Sequence, residues 1–178
     1  MKRRSANHQR KGVNPEGEPT MNKFSFIAAA GFLSAIILIS CSGKSVYNSS
    51  VDIPNEKWNI DSLATFSVDI ADTSSVHNIF VTLRNTTEYP NSNLYLFIQT
   101  TSPTGAMLRD TLECILADTR GNWLGKGFGA LRDNQIPYKQ FIRFPETGSY
   151  KFSIQHGMRT TQLKGVASVG IRVEKAKM

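Results

Sequence analysis

The chain of 178 residues carries only two cysteines, Cys41 and Cys114, and three histidines, His8, His77 and His156. Neither a disulfide framework nor a zinc site of ordinary ligand spacing can be assembled from so few, and no second His, Cys or carboxylate stands at ligand spacing beside His77 or His156. No run of five or six like charges occurs, and no basic stripe is interleaved with aromatics, so nothing points to a nucleic-acid partner. No segment offers three turns of apolar residues at helical spacing, which argues against a helical fold. Long hydrophobic runs are also missing, with one exception.

That exception is Phe24 to Ile39, an uncharged stretch that follows the basic Lys23 and ends in Leu38-Ile39-Ser40-Cys41. A basic start, an apolar body and a small residue at the cut are the layout of a secretory signal. A cysteine directly after a small residue and two aliphatic ones resembles the lipobox of bacterial lipoproteins. The resemblance implies acylation of the Cys41 sulfur and cleavage just before it. An uncleaved membrane-spanning helix is the competing reading, since about 17 to 25 apolar residues span a bilayer. The small residue before the cysteine favours the signal. Residues 21–40 are therefore expected to be a signal peptide, and polar, basic residues 1–20 an over-long or disordered start, with Met21 the expected initiator.

Processing changes the charge. Six of the 21 Lys and Arg and two of the 14 Asp and Glu precede Cys41, leaving 15 against 12, so the formal +7 of the whole chain falls to +3. The basicity belongs mostly to the part that is removed.

After Cys41, residues 41–50 are small and polar and read as a flexible tether. Residues 51–175 read as one domain dominated by period-two alternation. Thr65 to Ile70 is apolar on the even positions, and Ile79, Val81 and Leu83 face away from Phe80 and Thr82. Leu94 to Ile98 is apolar on both faces, as a central strand would be. Met107 to Leu116, Trp123 to Gly127, Tyr138 to Phe144, Tyr150 to Ile154 and Val166 to Val173 complete about eight strands. Turn-forming text separates them at Tyr89 to Asn93, Ser102 to Gly105, Asp118 to Asn122, Pro145 to Gly148 and Met158 to Gly165. The expected fold is all-β, a single antiparallel β-sandwich of immunoglobulin-like or jelly-roll type.

Chemistry is sparse in this domain. Cys114 alternates with Leu112 and Leu116 and is expected to be a buried, inert thiol. Gly125 to Gly129 is rich in glycine, but no helix follows to complete a phosphate loop, so a bulged strand or hairpin is expected. Asp110, Glu113, Asp118 and Asp133 cluster in sequence and could in principle place paired carboxylates across a sheet for glycoside hydrolysis. Each lies beside a turn or on the polar side of a strand, where solvated surface is the default. Exposed aromatics could stack on sugar rings, with Tyr89, Trp123 and Tyr138 as the possible binding platform and Tyr95 and Phe128 as further candidates. No catalytic residues, metal or cofactor are expected.

Longer strings carry a family resemblance. Tyr89-Pro90 through Asn93 to Ile98, Asp110 to Asp118, Gly121 to Gly127, Arg143 to Tyr150, Gln155 to Arg159, and Leu163 to Val166 followed by Val169 to Arg172 are similar to the gliding-motility lipoprotein H family of the Bacteroidetes. The resemblance runs from about Trp58 to Glu174. It implies a non-catalytic structural or assembly component in the cell envelope, with membrane lipid as partner through acylated Cys41 and other gliding and secretion machinery proteins as neighbours. Ser42-Gly43-Lys44-Ser45 after the cysteine lacks acidic residues, so the periplasmic face of the outer membrane is the expected address. A carbohydrate-binding lipoprotein is the alternative, and a carboxylate hydrolase the third reading.

Overall fold

The computed structural model describes residues 45–176, so Cys41, the signal segment and residues 41–44 of the expected tether lie outside the described residues. Ten strands follow one another: β1 (Ser45–Asp52), β2 (Lys57–Asn59), β3 (Ala64–Ile70), β4 (His77–Thr86), β5 (Asn93–Thr101), β6 (Met107–Ile115), β7 (Leu131–Ile142), β8 (Gly148–His156), β9 (Gln162–Lys164) and β10 (Val166–Lys175). The one helical element among the described residues is a 3-10 turn at Pro54–Glu56. No described helix is long and apolar enough to cross a membrane.

Two four-stranded antiparallel sheets, β1-β10-β4-β7 and β3-β8-β5-β6, pack face to face, and β2 pairs with β9 at one end. Counting only the eight strands longer than three residues, the sheet orders read 1-8-3-6 and 2-7-4-5. That is the double Greek key of a jelly roll and not the immunoglobulin order. The strand order thus selects one of the two sandwich types that alternation alone left open.

Alternation explains the layering. In β3 the side chains of Ala64, Phe66, Val68 and Ile70 point into the core while those between them are exposed. Ile79, Val81 and Leu83 of β4 face Leu94, Leu96 and Ile98 of β5 through the same core, and Phe152, Ile154, Val169, Ile171 and Val173 complete it. Burying this set, at roughly 1.5 to 3 kcal/mol for each large side chain, is the main force holding the sheets together. Cys114 and Leu116 are fully buried beside Leu94, as the alternation in β6 requires.

Four local readings are corrected. Residues 45–50, expected as coil, form most of β1, because their backbone pairs with β10 from Ser45↔Glu174 to Asp52↔Ser168. Pairing along a free sheet edge needs no apolar side chains, so composition gave no sign of it. Trp123–Gly127 is not a strand but makes two isolated bridges, Ala117↔Trp123 and Lys126↔Asp133. The second is reciprocal, with N–H···O distances of 2.9 and 2.6 Å, and closes the glycine-rich segment as a hairpin. β7 begins at Leu131, earlier than alternation placed it, and ends at Ile142. Gln162–Lys164 falls inside the segment expected as turn and pairs with β2.

The two ends of the sandwich differ. At one end, residues 71–76, 102–106 and 143–147 connect strands, β1 begins and β10 finishes. Asp72 closes the first of these loops by accepting from the Ser75 N–H at 2.6 Å and the Ser74 hydroxyl at 3.0 Å. The other end is capped by the β2–β9 pair, where Trp58 is buried and donates its ring N–H to the Ser62 carbonyl at 2.8 Å. Gly165 there has φ +81°, and a Cβ on it would lie 2.7 Å from Tyr89 Cα, so only glycine fits.

Candidate functional site

The three platform aromatics are dispersed by the fold. Tyr89 is 3% exposed, and its hydroxyl donates to the Asn93 carbonyl at 2.9 Å, so its ring is core and offers no face to a sugar. Burial pushes its pKa up to about 12. Trp123 and Tyr138 are half-buried and pack on the core from different elements, one in the β6–β7 connection and the other in β7. Tyr95 stands on the outer face of β5, and Phe128 is 98% exposed at the tip of the β6–β7 connection.

Nor do the four carboxylates converge. Asp110 accepts from the Tyr138 hydroxyl at 2.6 Å and lies 3.1 Å from Lys139 Nζ. These two groups hold its carboxyl below the ordinary range, the Tyr138 hydrogen bond first. Glu113 accepts from the Asn93 amide, Asp118 folds its own turn with Arg120 and Asn122, and Asp133 pairs with Arg84 at 2.6 Å. No two share a partner, which leaves the paired-carboxylate reading without its geometry. Cys114 is fully buried and its thiol is pushed up to about 12 by burial, far from the thiolate that a nucleophile needs. Among the described residues no group of three or more His, Cys, Asp or Glu is placed to hold a metal.

Two surfaces have organised geometry. The first is the outer face of the β1-β10-β4-β7 sheet, where register sets side chains in rows: Asp52, Ser168, Arg84 and Asp133, then Ser50, Gly170, Thr82 and Gln135. A Cβ at Gly170 would lie 2.4 Å from the Ser49 carbonyl oxygen, so glycine lets the strands close there. The result is a polar trough of about 440 Å³.

The second is a cleft of about 450 Å³ between β6 and β7, the edge strands of the two sheets. Ile79, Phe144, Tyr150 and Phe152 floor it, and Met107, Leu108 and Ile142 form its rim. Its walls are predominantly apolar, and it opens at the end of the sandwich where β1 begins. β7 carries two register shifts here, opposite His77–Phe80. Such bulges re-aim side chains. Phe141 emerges from them 67% exposed with φ +54°, its N–H bonded to Asn78 Oδ1 at 2.9 Å.

Sequence reasoning missed this cleft. Period-two alternation places side chains on faces and carries no information about where two sheet edges part. A fainter signal was present in Tyr138 to Ile142, whose apolar residues break strict alternation.

Each buried histidine marks one end of the core. His77 lies edge-on to Phe144 at 5.4 Å, and His156 edge-on to Trp58 at 5.5 Å. Burial lowers the pKa of both below the ordinary histidine value. Nδ1 of His77 and both ring nitrogens of His156 have no hydrogen-bond partner. The Asp72 carboxylate opposes the effect of burial on His77, but neither ring hydrogen-bonds a carboxylate or a nucleophile, so both read as core aromatics and not as acid–base groups.

Comparison with known proteins places residues 45–173 in a family model described as GldH lipoprotein. The chain is similar to a gliding motility lipoprotein GldH homolog of Christiangramia forsetii, 38% identical over 153 residues that cover 82% of this chain and 93% of that protein. It is also similar to the gliding motility lipoprotein GldH of Flavobacterium johnsoniae, 33% identical over 150 residues, covering 80% of this chain and 92% of that one.

Proposed function

The chain belongs to the GldH lipoprotein family, and from that membership we propose that it serves gliding motility as a lipid-anchored, non-catalytic structural or assembly component of the cell envelope. The observation that carries the reading is the match along nearly the whole jelly roll to relatives named for that process. Dispersed carboxylates and a buried thiol support a role without catalysis.

Anchorage would run through Cys41. Two or more acyl chains on that residue, at about 0.8 kcal/mol for each buried methylene, hold a protein stably where one chain would not. Confinement to a surface raises the effective concentration of the domain for other envelope proteins. The periplasmic face of the outer membrane is the proposed address, supported by the absence of acidic residues in Ser42-Gly43-Lys44-Ser45.

Deletion of the gene in its own bacterium tests the assignment. Spreading on agar should stop, and return with the wild-type gene but not with Cys41→Ser. A deletion strain that spreads normally would overturn it. Glycan binding is a second reading, favoured by the polar trough around Gly170; an array that retains no glycan would remove it.

A further inference from the structure

We infer that the end of the jelly roll where β1 begins rests on the bilayer, and that the cleft between β6 and β7 takes up an acyl chain from it. The inference rests on the proposed anchorage at Cys41. Only Ser42, Gly43 and Lys44 separate Cys41 from the first residue of β1. However those residues are arranged, four residue steps reach about 14 Å at most. Ser45 is thus held close to the headgroups, together with the chain end that shares its side of the fold. That end carries residues 71–76, 102–106 and 143–147 and the close of β10.

Beside polar loop residues such as Asp72, Ser74, Thr104 and Arg143, this end presents one apolar patch. Met107 is 71% exposed and Leu108 54%, both on the rim of a cleft whose floor is aromatic and aliphatic. At the same end of the sandwich, outside the cleft lining, Phe141 is held out in left-handed backbone, a conformation that costs an L residue roughly 1 to 2 kcal/mol. Strain of that kind persists at functional positions, and an exposed phenylalanine gains nothing from it in water. In the interface the same ring would be buried.

Most of the charge at this end is already paired. Lys139 is taken by Asp110 at 3.1 Å and Lys175 by Asp72 at 3.3 Å, while Arg143, whose Nε donates to the Ser74 carbonyl at 3.3 Å, keeps its charge. The occupant is accordingly the hydrocarbon of a membrane phospholipid, with no requirement for an anionic headgroup.

The test uses the lipidated protein in phosphatidylcholine vesicles that contain a phosphatidylcholine with a diazirine at the end of one acyl chain. After irradiation, adducts are mapped by mass spectrometry. They should concentrate on Met107, Leu108, Phe141, Ile142 and Phe144, and exceed those on Phe128, at the opposite end, roughly tenfold. The yield should not change between low and high salt. Met107→Asp with Leu108→Asp, both at exposed positions, should lower cleft adducts by about tenfold while the protein still floats with the vesicles. Adducts spread evenly, confined to the Phe128 end, or unaffected by the two aspartates would overturn the inference. Failure of the anchorage has a different signature: Cys41→Ser protein that floats as well as the wild type would refute the lipid tether itself.

Discussion

Acidification should weaken this fold in the range where histidine titrates, well before its carboxylates do. His77 and His156 are 2% and 0% exposed, and burial depresses both pKa values below the ordinary 6.5. In the unfolded chain each takes up a proton near pH 6.5, while the folded ring does so only at a lower pH. Stability is therefore level above that pH and is lost as pH falls through 6.5 toward the folded-state pKa, with a slope of up to about 1.4 kcal/mol per pH unit for each ring. Between pH 7 and 5 the two together remove up to about 4 kcal/mol. With an m-value of about 2 kcal/mol/M, the urea midpoint should drop by as much as ~2 M. His156→Leu removes two unpartnered nitrogens from beside Trp58, so it should be neutral or stabilising at pH 7.5 and make the pH dependence shallower. The lowered carboxyl pKa values of Asp110 and Asp118 act in another window. They stabilise above the usual carboxylate range, and that contribution is lost only as pH falls below about 4. Urea unfolding followed by tryptophan fluorescence at pH 7.5, 6 and 5 checks the sign. A flat midpoint in the wild type, or an unchanged slope in His156→Leu, would refute the account.

Three further outcomes are expected. Trp58→Ala opens the cap formed with His156 and Leu163 and should cost about 3 to 5 kcal/mol, read from the urea midpoint. Gly165→Ala places a Cβ 2.7 Å from Tyr89 Cα at φ +81° and should cost at least about 2 kcal/mol, the same measurement returning less than 0.5 being the contrary result. Phe128→Ser, at a 98% exposed loop tip, should leave the thermal midpoint unchanged, within about 0.5 kcal/mol.

Alternation made β3, the middle of β4 and β5, and the burial of Cys114 legible from residues alone, because one face of each strand must be apolar to be buried. β1 was hidden for the opposite reason: Ser45 to Ser50 pair through backbone along an edge and bury almost nothing. The choice of jelly roll over immunoglobulin order was also out of reach, since strand order depends on which distant edges meet. For the site, the sequence placed Cys114 in the core, where the structure also has it. It misjudged Tyr89, because an aromatic in a turn reads the same whether its ring faces water or the core. The β6–β7 cleft arises from two bulges whose position depends on partners in β4, and the broken alternation of Tyr138 to Ile142 marks an irregularity without locating the cleft.

The first strand of this domain is hydrogen-bonded to the last, with Val51 opposite Val169. A chain threaded through a translocation channel from its amino end cannot finish the sheet until its final strand emerges. The loop-closure entropy of so distant a pairing makes folding slow, on the millisecond-to-second scale. Late closure leaves β1 unpaired until β10 is available, so the edge that β1 completes is the last part of that sheet to form. Moving the strand order to nearest neighbours would speed folding and forfeit that delay.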